Sequence, residues 1–150
     1  MPTHQHVHPI GEVIAVSLSD ARTAPKKNQS RIHLIAGHGA EGDSHAGLGD
    51  CQVSLLGIES LRELNSEHDV GAVPGCFAEN ITTLGIDLVS LPLGQRLRVG
   101  EAILEVVQIG KPPDSAHTYN FKGFSLLPTS GIFCRVIQSG IVRPGDAISL

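Results

Sequence analysis

The loop HGAEGDSHAG, residues 38–47, gathers side chains that can bind a metal or move a proton. His38, Glu41, Asp43 and His45 fall within eight positions, and glycines such as Gly42 free the backbone between them. Imidazoles and carboxylates act as metal ligands and acid–base groups, and a glycine-rich backbone can turn its N–H groups towards an anion. The alternative is a solvated loop in which Asp43 and His45 cap neighbouring backbone groups. The spacing matches no established metal motif, so both interpretations stay open.

A second group of candidates follows the segment QIGK, in the stretch IGKPPDSAHTYN, residues 109–120. Lys111 precedes two prolines, and Asp114 and His117 come after them. Proline fixes the backbone angle φ and restricts the residue before it, so Pro112 and Pro113 stiffen this segment. We expect it to hold Asp114 and His117 in place, where imidazole chemistry can act.

The N-terminal segment HQHVH places three histidines at every second position. In an extended chain His4, His6 and His8 lie on one side, which could form a zinc, nickel or copper site. Terminal residues commonly lack fixed structure, and that is the alternative.

The three cysteines contain no C-x-x-C pair, and their odd number argues against a disulfide framework. We interpret Cys51, Cys76 and Cys134 as reduced and inert, with Cys134 in an apolar strand acting as a small hydrophobic residue.

Composition limits the classes of function. The 150 residues contain 11 Lys and Arg against 15 Asp and Glu, and aromatic residues make up 3%. A mildly acidic chain without a basic stripe does not fit a nucleic-acid partner. The sequence contains no signal-peptide pattern and no apolar run long enough to span a membrane, which predicts a soluble, cytoplasmic protein without a membrane partner.

Short β-rich segments separated by turns predict a mainly β fold with one or two short helices. Residues 12–18, 31–37 and 52–56 are predicted strands, and more follow beyond residue 78; ARTAPKKNQS, residues 21–30, is predicted to be a polar loop. Ile58, Leu61 and Leu64 recur at helical spacing. We therefore predict a closed or nearly closed β-barrel over residues 11–150, preceded by an N-terminal tail, residues 1–10. Open sheet edges would be compatible with a homodimer.

Four sequence blocks occur in an order that resembles the MOSC domain, named for the C-terminal region of molybdenum cofactor sulfurase. The blocks are GHGAEGDSHAG, QVSLLGIESL, PGCFAENITTLGIDLVSLPLGQRLRVGEAILEVVQIGK and SGIFCRVIQSGIVRPGD. The resemblance runs from about Glu12 to the C-terminus and implies a β-barrel linked to molybdenum cofactor or sulfur handling. In small members QIGK is followed by an acidic residue and a cysteine that carries sulfur or binds the metal, with a second cysteine soon after. Pro113 and His117 stand at the corresponding positions here.

Three functions remain open. The first is a divergent MOSC protein that binds molybdenum cofactor or a related small anionic ligand without the family cysteine. The residues predicted to bind this ligand are Gly42, Asp43, His45, Asn80, Lys111 and Arg135. The second is a cysteine-independent enzyme of lyase or hydrolase type. Its predicted catalytic groups are His45, His117 and Asp43. Its predicted ligands for zinc, iron, nickel or copper are His38, His45 and His117. The third is a non-catalytic binding domain. In all three, Cys134 is interpreted as a core residue, with compensation for the missing thiol as the minor alternative.

Overall fold

The computed structural model describes residues 9–21, 25–44, 46–47, 49–111 and 120–150 of the chain. Its strands are β1 (Gly11–Leu18), β2 (Lys27–Gln29), β3 (Ile32–Ile35), β4 (Gly39–Ala40), β5 (Val53–Gly57), β6 (Ile81–Leu84), β7 (Arg96–Val99), β8 (Ala102–Ile109), β9 (Ile132–Gln138), β10 (Gly140–Val142) and β11 (Ala147–Ser149). Its helices are α1 (Ile58–His68) and α2 (Leu127–Ser130), and a short 3₁₀ turn covers Leu88–Ser90. The strands predicted at residues 12–18, 31–37 and 52–56 and the predicted helix are confirmed to within two residues at each end.

Seven of the strands in the described residues close into a barrel. Their order is β11-β7-β8-β9-β5-β6-β1, and β1 pairs with β11 to complete the circle. The pairs are antiparallel except β5 with β6, which run parallel with α1 between them in sequence. A parallel pair needs a crossover connection, and α1 supplies it on the outside of the barrel. The predicted mainly β barrel is therefore confirmed.

Among the described residues, buried apolar side chains form two separate cores. The first fills the barrel and contains inward residues of nearly every strand, including Val13, Leu55, Leu104 and Cys134. The second lies between the outer wall of the barrel and α1, where Leu61, Leu64, Phe77, Leu127 and Phe133 pack together. Strand alternation explains this division, because successive side chains of β9 point to opposite sides of the wall. Cys134 faces the first core and Phe133 the second.

The prediction of an unbroken polar loop over residues 21–30 is wrong, because β2 lies within it. Leu18 of β1 pairs with Lys27, and Val16 pairs with Gln29. This strand is short, polar and mostly exposed, so it lacks the apolar alternation by which strands are recognised. Hydrogen bonding to the edge of β1 creates it.

A small second sheet of β10, β3 and β4 carries the start of the glycine-rich loop. Leu34 of β3 pairs with both Gly140 and Ala40.

None of the helices in the described residues has the length and apolar character needed to cross a membrane.

Candidate functional site

Asp43, at the centre of the glycine-rich loop, is held by a buried ion pair. Lys26 Nζ lies 2.9 Å from Asp43 Oδ1 and 3.1 Å from Oδ2, and the two side chains are 1% and 0% exposed. The backbone N–H of Ser19 also donates to Asp43 Oδ1, at 3.0 Å. These contacts join the loop to the end of β1 and to the segment before β2. Asp43 thus positions the loop, and no pattern in the sequence identifies Lys26 as its partner.

Gln52 fixes the far end of the same loop. Its Nε2 donates to the carbonyl of Gly49 at 3.0 Å, and its Oε1 accepts from the N–H of Val136 on β9 at 3.0 Å. Gly39 has φ 122°, and a Cβ atom there would lie 3.0 Å from the carbonyl oxygen of Gln52. The loop therefore packs closely against the start of β5, and only glycine fits at position 39 without displacement.

The amide of Asn80 is buried and bound within the protein. Its Oδ1 accepts from the N–H of Ser54 at 3.1 Å, and its Nδ2 donates to the carbonyl of Ser17 at 3.1 Å. It therefore ties the segment before β6 to both β1 and β5. The side chain uses its hydrogen-bonding capacity on backbone groups, as expected for a buried amide.

Glu79 is a fully buried carboxylate that the sequence interpretation missed. Its oxygens accept from the N–H groups of Gly75 and Phe77, at 3.0 and 3.2 Å, and from the hydroxyl of Thr82 at 2.9 Å. Burial raises the pKa of Glu79, while these donors act in the opposite direction. The carboxylate organises the turn PGCFAE, where Ala78 has φ 68°.

Lys111 lies beside Cys51 at the rim of the barrel. Its Nζ sits 5.2 Å from the centre of the Phe133 ring, and within the described residues it has no hydrogen-bond or ion-pair partner. Partial burial lowers the pKa of Lys111, and the nearby Cys51 opposes that shift. Cys51 Sγ in turn donates to Gln108 Oε1 at 3.4 Å. The end of the glycine-rich loop and the end of β8 therefore meet here.

Arg135 is engaged elsewhere, on the outer face of the barrel. Its Nε lies 2.8 Å from Glu105 Oε1, and Arg96 lies on the other side of the same carboxylate at 3.5 Å. The register explains this arrangement, since Glu105 pairs with Arg96 on one side and with Arg135 on the other. The Glu105 carboxylate therefore binds the guanidinium of Arg135, which we predicted to bind the ligand.

The structure brings together only part of the predicted site. Asp43 and Asn80 both hold the end of β1, through Ser19 and Ser17, and Lys111 meets the loop at Cys51. Gly42 and His38 lie in exposed parts of the loop. Among the described ranges no cluster of three His, Cys, Asp or Glu residues could hold a metal.

Several predicted residues lie outside the described residues. They are His4, His6, His8, His45, Pro112, Pro113, Asp114 and His117. The histidine-based catalytic and metal-binding predictions depend on these positions and stay predictions.

A cavity of about 340 Å³ lies next to the start of α1, and none of the predicted site residues that the structure describes lines it. Glu59, Ser60, Asp87 and Ser130 contribute its polar groups.

Comparison with known proteins gives a consistent result. A family model described as the MOSC domain matches residues 38–149. In structure the chain is similar to the YuaD protein from Bacillus subtilis, with a TM-score of 0.73 and 22% identity over 95% of this chain and 96% of that one. It is similar to YiiM from Geobacillus stearothermophilus, with a TM-score of 0.69 and 19% identity over 93% and 74% of the two chains. The chain is also similar to YiiM from Escherichia coli, with a TM-score of 0.62 and 21% identity over 95% of this chain and 68% of that one. No curated protein matches the sequence.

Proposed function

The chain belongs to the MOSC domain family, and on that premise we propose that it binds a small anionic ligand of the molybdenum-cofactor class at the rim between the glycine-rich loop and Lys111. The observation that carries this proposal is the ammonium group of Lys111. It is partly buried, and among the described residues no carboxylate neutralises it. A partly desolvated cation without an anion favours binding of one.

Backbone donors next to Lys111 support the same ligand class. Within the described part of the chain the N–H groups of Gly49, Asp50 and Cys51 donate to no acceptor. Gly49 has φ 72°, and successive N–H groups around a left-handed residue form a concave anion site. The Asp50 side chain is exposed, so solvent screens its opposing charge.

The residues at the rim fit the phosphate of a molybdenum cofactor better than its metal. Lys111 would pair with the phosphate, and the N–H groups of residues 49–51 would complete its hydrogen bonds. When bound, the cofactor supplies redox and sulfur chemistry at molybdenum. The protein's own contribution in this proposal is to hold and orient the ligand. Arg135 has no part in it, because Glu105 already binds its guanidinium.

The test is a titration with inorganic phosphate and with molybdate, followed through backbone amide chemical shifts. We expect shifts at residues 49–51 and a dissociation constant raised between about 10- and 100-fold in Lys111→Met, as for loss of a hydrogen bond to a charged group. Arg98→Met is the matched control, since Arg98 pairs with Ile103 at the opposite end of β8. Equal affinity in wild type and Lys111→Met, or no shift at residues 49–51, would reject the proposal.

A further inference from the structure

The cavity at the start of α1 combines an apolar wall with two carboxylates. Ile86, Leu88 and Val89 form the wall, and Val89 is 41% exposed to solvent. Glu59 and Asp87 add negative charge, and no lysine or arginine is among the described residues that line the cavity. Its volume of about 340 Å³, with an apolar lining and a few convergent polar groups, is typical of a small-molecule site. An organic cation would find both apolar surface and negative charge here.

Both carboxylates have oxygens that are available to a ligand. Glu59 Oε2 accepts from the backbone N–H of Gly85 at 2.6 Å, whereas Oε1 has no donor among the described residues. A Cβ atom on Gly57 would lie 2.8 Å from Glu59 Oε1, so this oxygen lies against the first residues of α1 and offsets the positive end of the helix dipole. The Asp87 carboxylate has no partner in the described part of the chain. One carboxylate is therefore held in place and a second lies nearby, which suits an ammonium group with its three donors.

A buried hydroxyl without a partner faces the same end of the barrel core. Thr83 on β6 is 0% exposed, and its Oγ1 has no hydrogen-bond partner among the described residues. Thr83 pairs with Gly57 of the cavity, and paired residues point to the same side of a sheet. The next residue, Leu84, packs against the second core, so Thr83 faces the first core, to which Ile86 and Leu88 belong. An unpaired buried hydroxyl is unfavourable, and a polar group of a ligand that reaches past Gly57 would satisfy it.

We propose that this cavity binds a small amino alcohol, a primary ammonium ion whose alkyl chain carries a hydroxyl group. The ammonium group donates to Glu59 Oε1 and to the Asp87 carboxylate. The alkyl chain packs against Ile86 and Leu88, and the ligand hydroxyl forms a hydrogen bond with Thr83 Oγ1. Anions are disfavoured because two carboxylates and no described cation line the cavity.

This inference goes beyond the proposed function, and the two sites share no residue. The phosphate site uses Lys111 and the N–H groups of residues 49–51, whereas the amino alcohol site uses Glu59, Asp87 and Thr83. Lys111→Met should keep amino alcohol binding, and Glu59→Gln should keep phosphate binding. Each proposal can therefore fail without the other.

The experiment is a titration of the full-length chain with three small molecules, followed through backbone amide chemical shifts. The first is aminobutanol, with its amine and hydroxyl at opposite ends; butylamine lacks the hydroxyl, and butyrate is an anion of similar size. We expect aminobutanol to shift the amides of residues 57–60 and 86–89 and to bind more tightly than butylamine. Butyrate should shift none of them. Absence of shifts with aminobutanol, or shifts at these residues with butyrate, would overturn the proposal.

Variants separate the contribution of the charge from that of the hydroxyl. The double variant Glu59→Gln with Asp87→Asn should raise the dissociation constant of aminobutanol at least about tenfold, as for loss of a charge-assisted hydrogen bond. Glu63→Gln is the matched control, because Glu63 lies on the same helix but does not line this cavity. Equal affinity in the wild type and the double variant would contradict the proposal.

Thr83→Val replaces the hydroxyl with a methyl group of the same shape. It should weaken aminobutanol binding about threefold to tenfold and leave butylamine binding unchanged, which a purely structural role of Thr83 would not produce. Circular dichroism verifies that each variant is folded. If a variant is not folded, the comparison of the three molecules on the wild type decides. An unchanged ratio of the two amine affinities in folded Thr83→Val would also count against the proposal.

Discussion

Asp43→Asn tests the positioning role of the buried ion pair most sharply. The substitution keeps the shape of the side chain and an oxygen that can accept from Ser19, but it leaves the ammonium of Lys26 buried without its carboxylate. The bonds lost measure 2.9 and 3.1 Å between side chains that are 1% and 0% exposed. Removal of one partner from such a pair costs about 3–5 kcal/mol of stability. For a chain of this size that lowers the melting temperature by about 10 °C.

The assay is urea unfolding of four proteins: wild type, Asp43→Asn, Lys26→Met and the double variant. Because the double variant removes both charges of this pair, it should lose clearly less stability than the two single variants added together. Arg143→Gln is the matched surface control, since Arg143 and Glu101 lie 3.6 Å apart with side chains 45% and 61% exposed. That change should cost less than about 1 kcal/mol.

If the stability losses of the two single variants added up to the loss of the double variant, the reasoning about this pair would be refuted. A cost below about 1 kcal/mol for Asp43→Asn would do the same, because it would place Asp43 among ordinary surface carboxylates.

Three further predictions concern the turn before β6 and the second core. Gly75→Ala should lower the free energy of unfolding in urea by about 3 kcal/mol, because Gly75 has φ 92° and its new Cβ would clash with the carbonyl of Lys26. Gly71→Ala is the control. Gly71 has φ 71° but open space around it, so this change should cost about 1 kcal/mol. Burial raises the pKa of Glu79, so its contribution to stability is complete below the unfolded pKa near 4.5 and is lost as the pH rises through the folded pKa. The destabilisation caused by Glu79→Gln should therefore be smaller at neutral pH than at pH 4.5, and an equal effect at both pH values would contradict this. Leu61 is 1% exposed under α1, so Leu61→Ala should open a cavity there and lower the free energy of unfolding by about 2–5 kcal/mol. A loss of about 1 kcal/mol corresponds to a melting-temperature shift of roughly 2 °C. A calorimetric melting temperature within that range of the wild type would therefore argue against this packing role.

The sequence predicts the barrel well because its strands are defined by local signals. Alternating apolar residues and frequent turns mark β1, β7, β8 and β9, and the spacing of Ile58, Leu61 and Leu64 marks α1. β2 carries no such signal, since its pairing with β1 alone makes it a strand. Residues without local periodicity therefore escape a prediction based on pattern.

The site is less predictable because it depends on which side chains find partners within the protein. Asn80 and Arg135 have the right chemistry for an anion, yet backbone groups occupy one and Glu105 occupies the other. Lys26 appears in the sequence as an ordinary loop lysine, and only the fold pairs it with Asp43. The meeting of Cys51 with Lys111 follows from strand register, since β5 pairs with β9 and β9 with β8.

The most direct measurement of the central claim is the metal content of untagged protein, purified without chelators from cells supplied with molybdate. Mass spectrometry would quantify molybdenum, zinc, iron, nickel and copper per chain in wild type, Lys111→Met and Arg98→Met. We predict near-stoichiometric molybdenum in wild type and Arg98→Met, and a marked loss in Lys111→Met. Stoichiometric zinc, iron, nickel or copper without molybdenum would contradict the proposal and direct attention to His45 and His117. Absence of molybdenum from the wild type would contradict it as well.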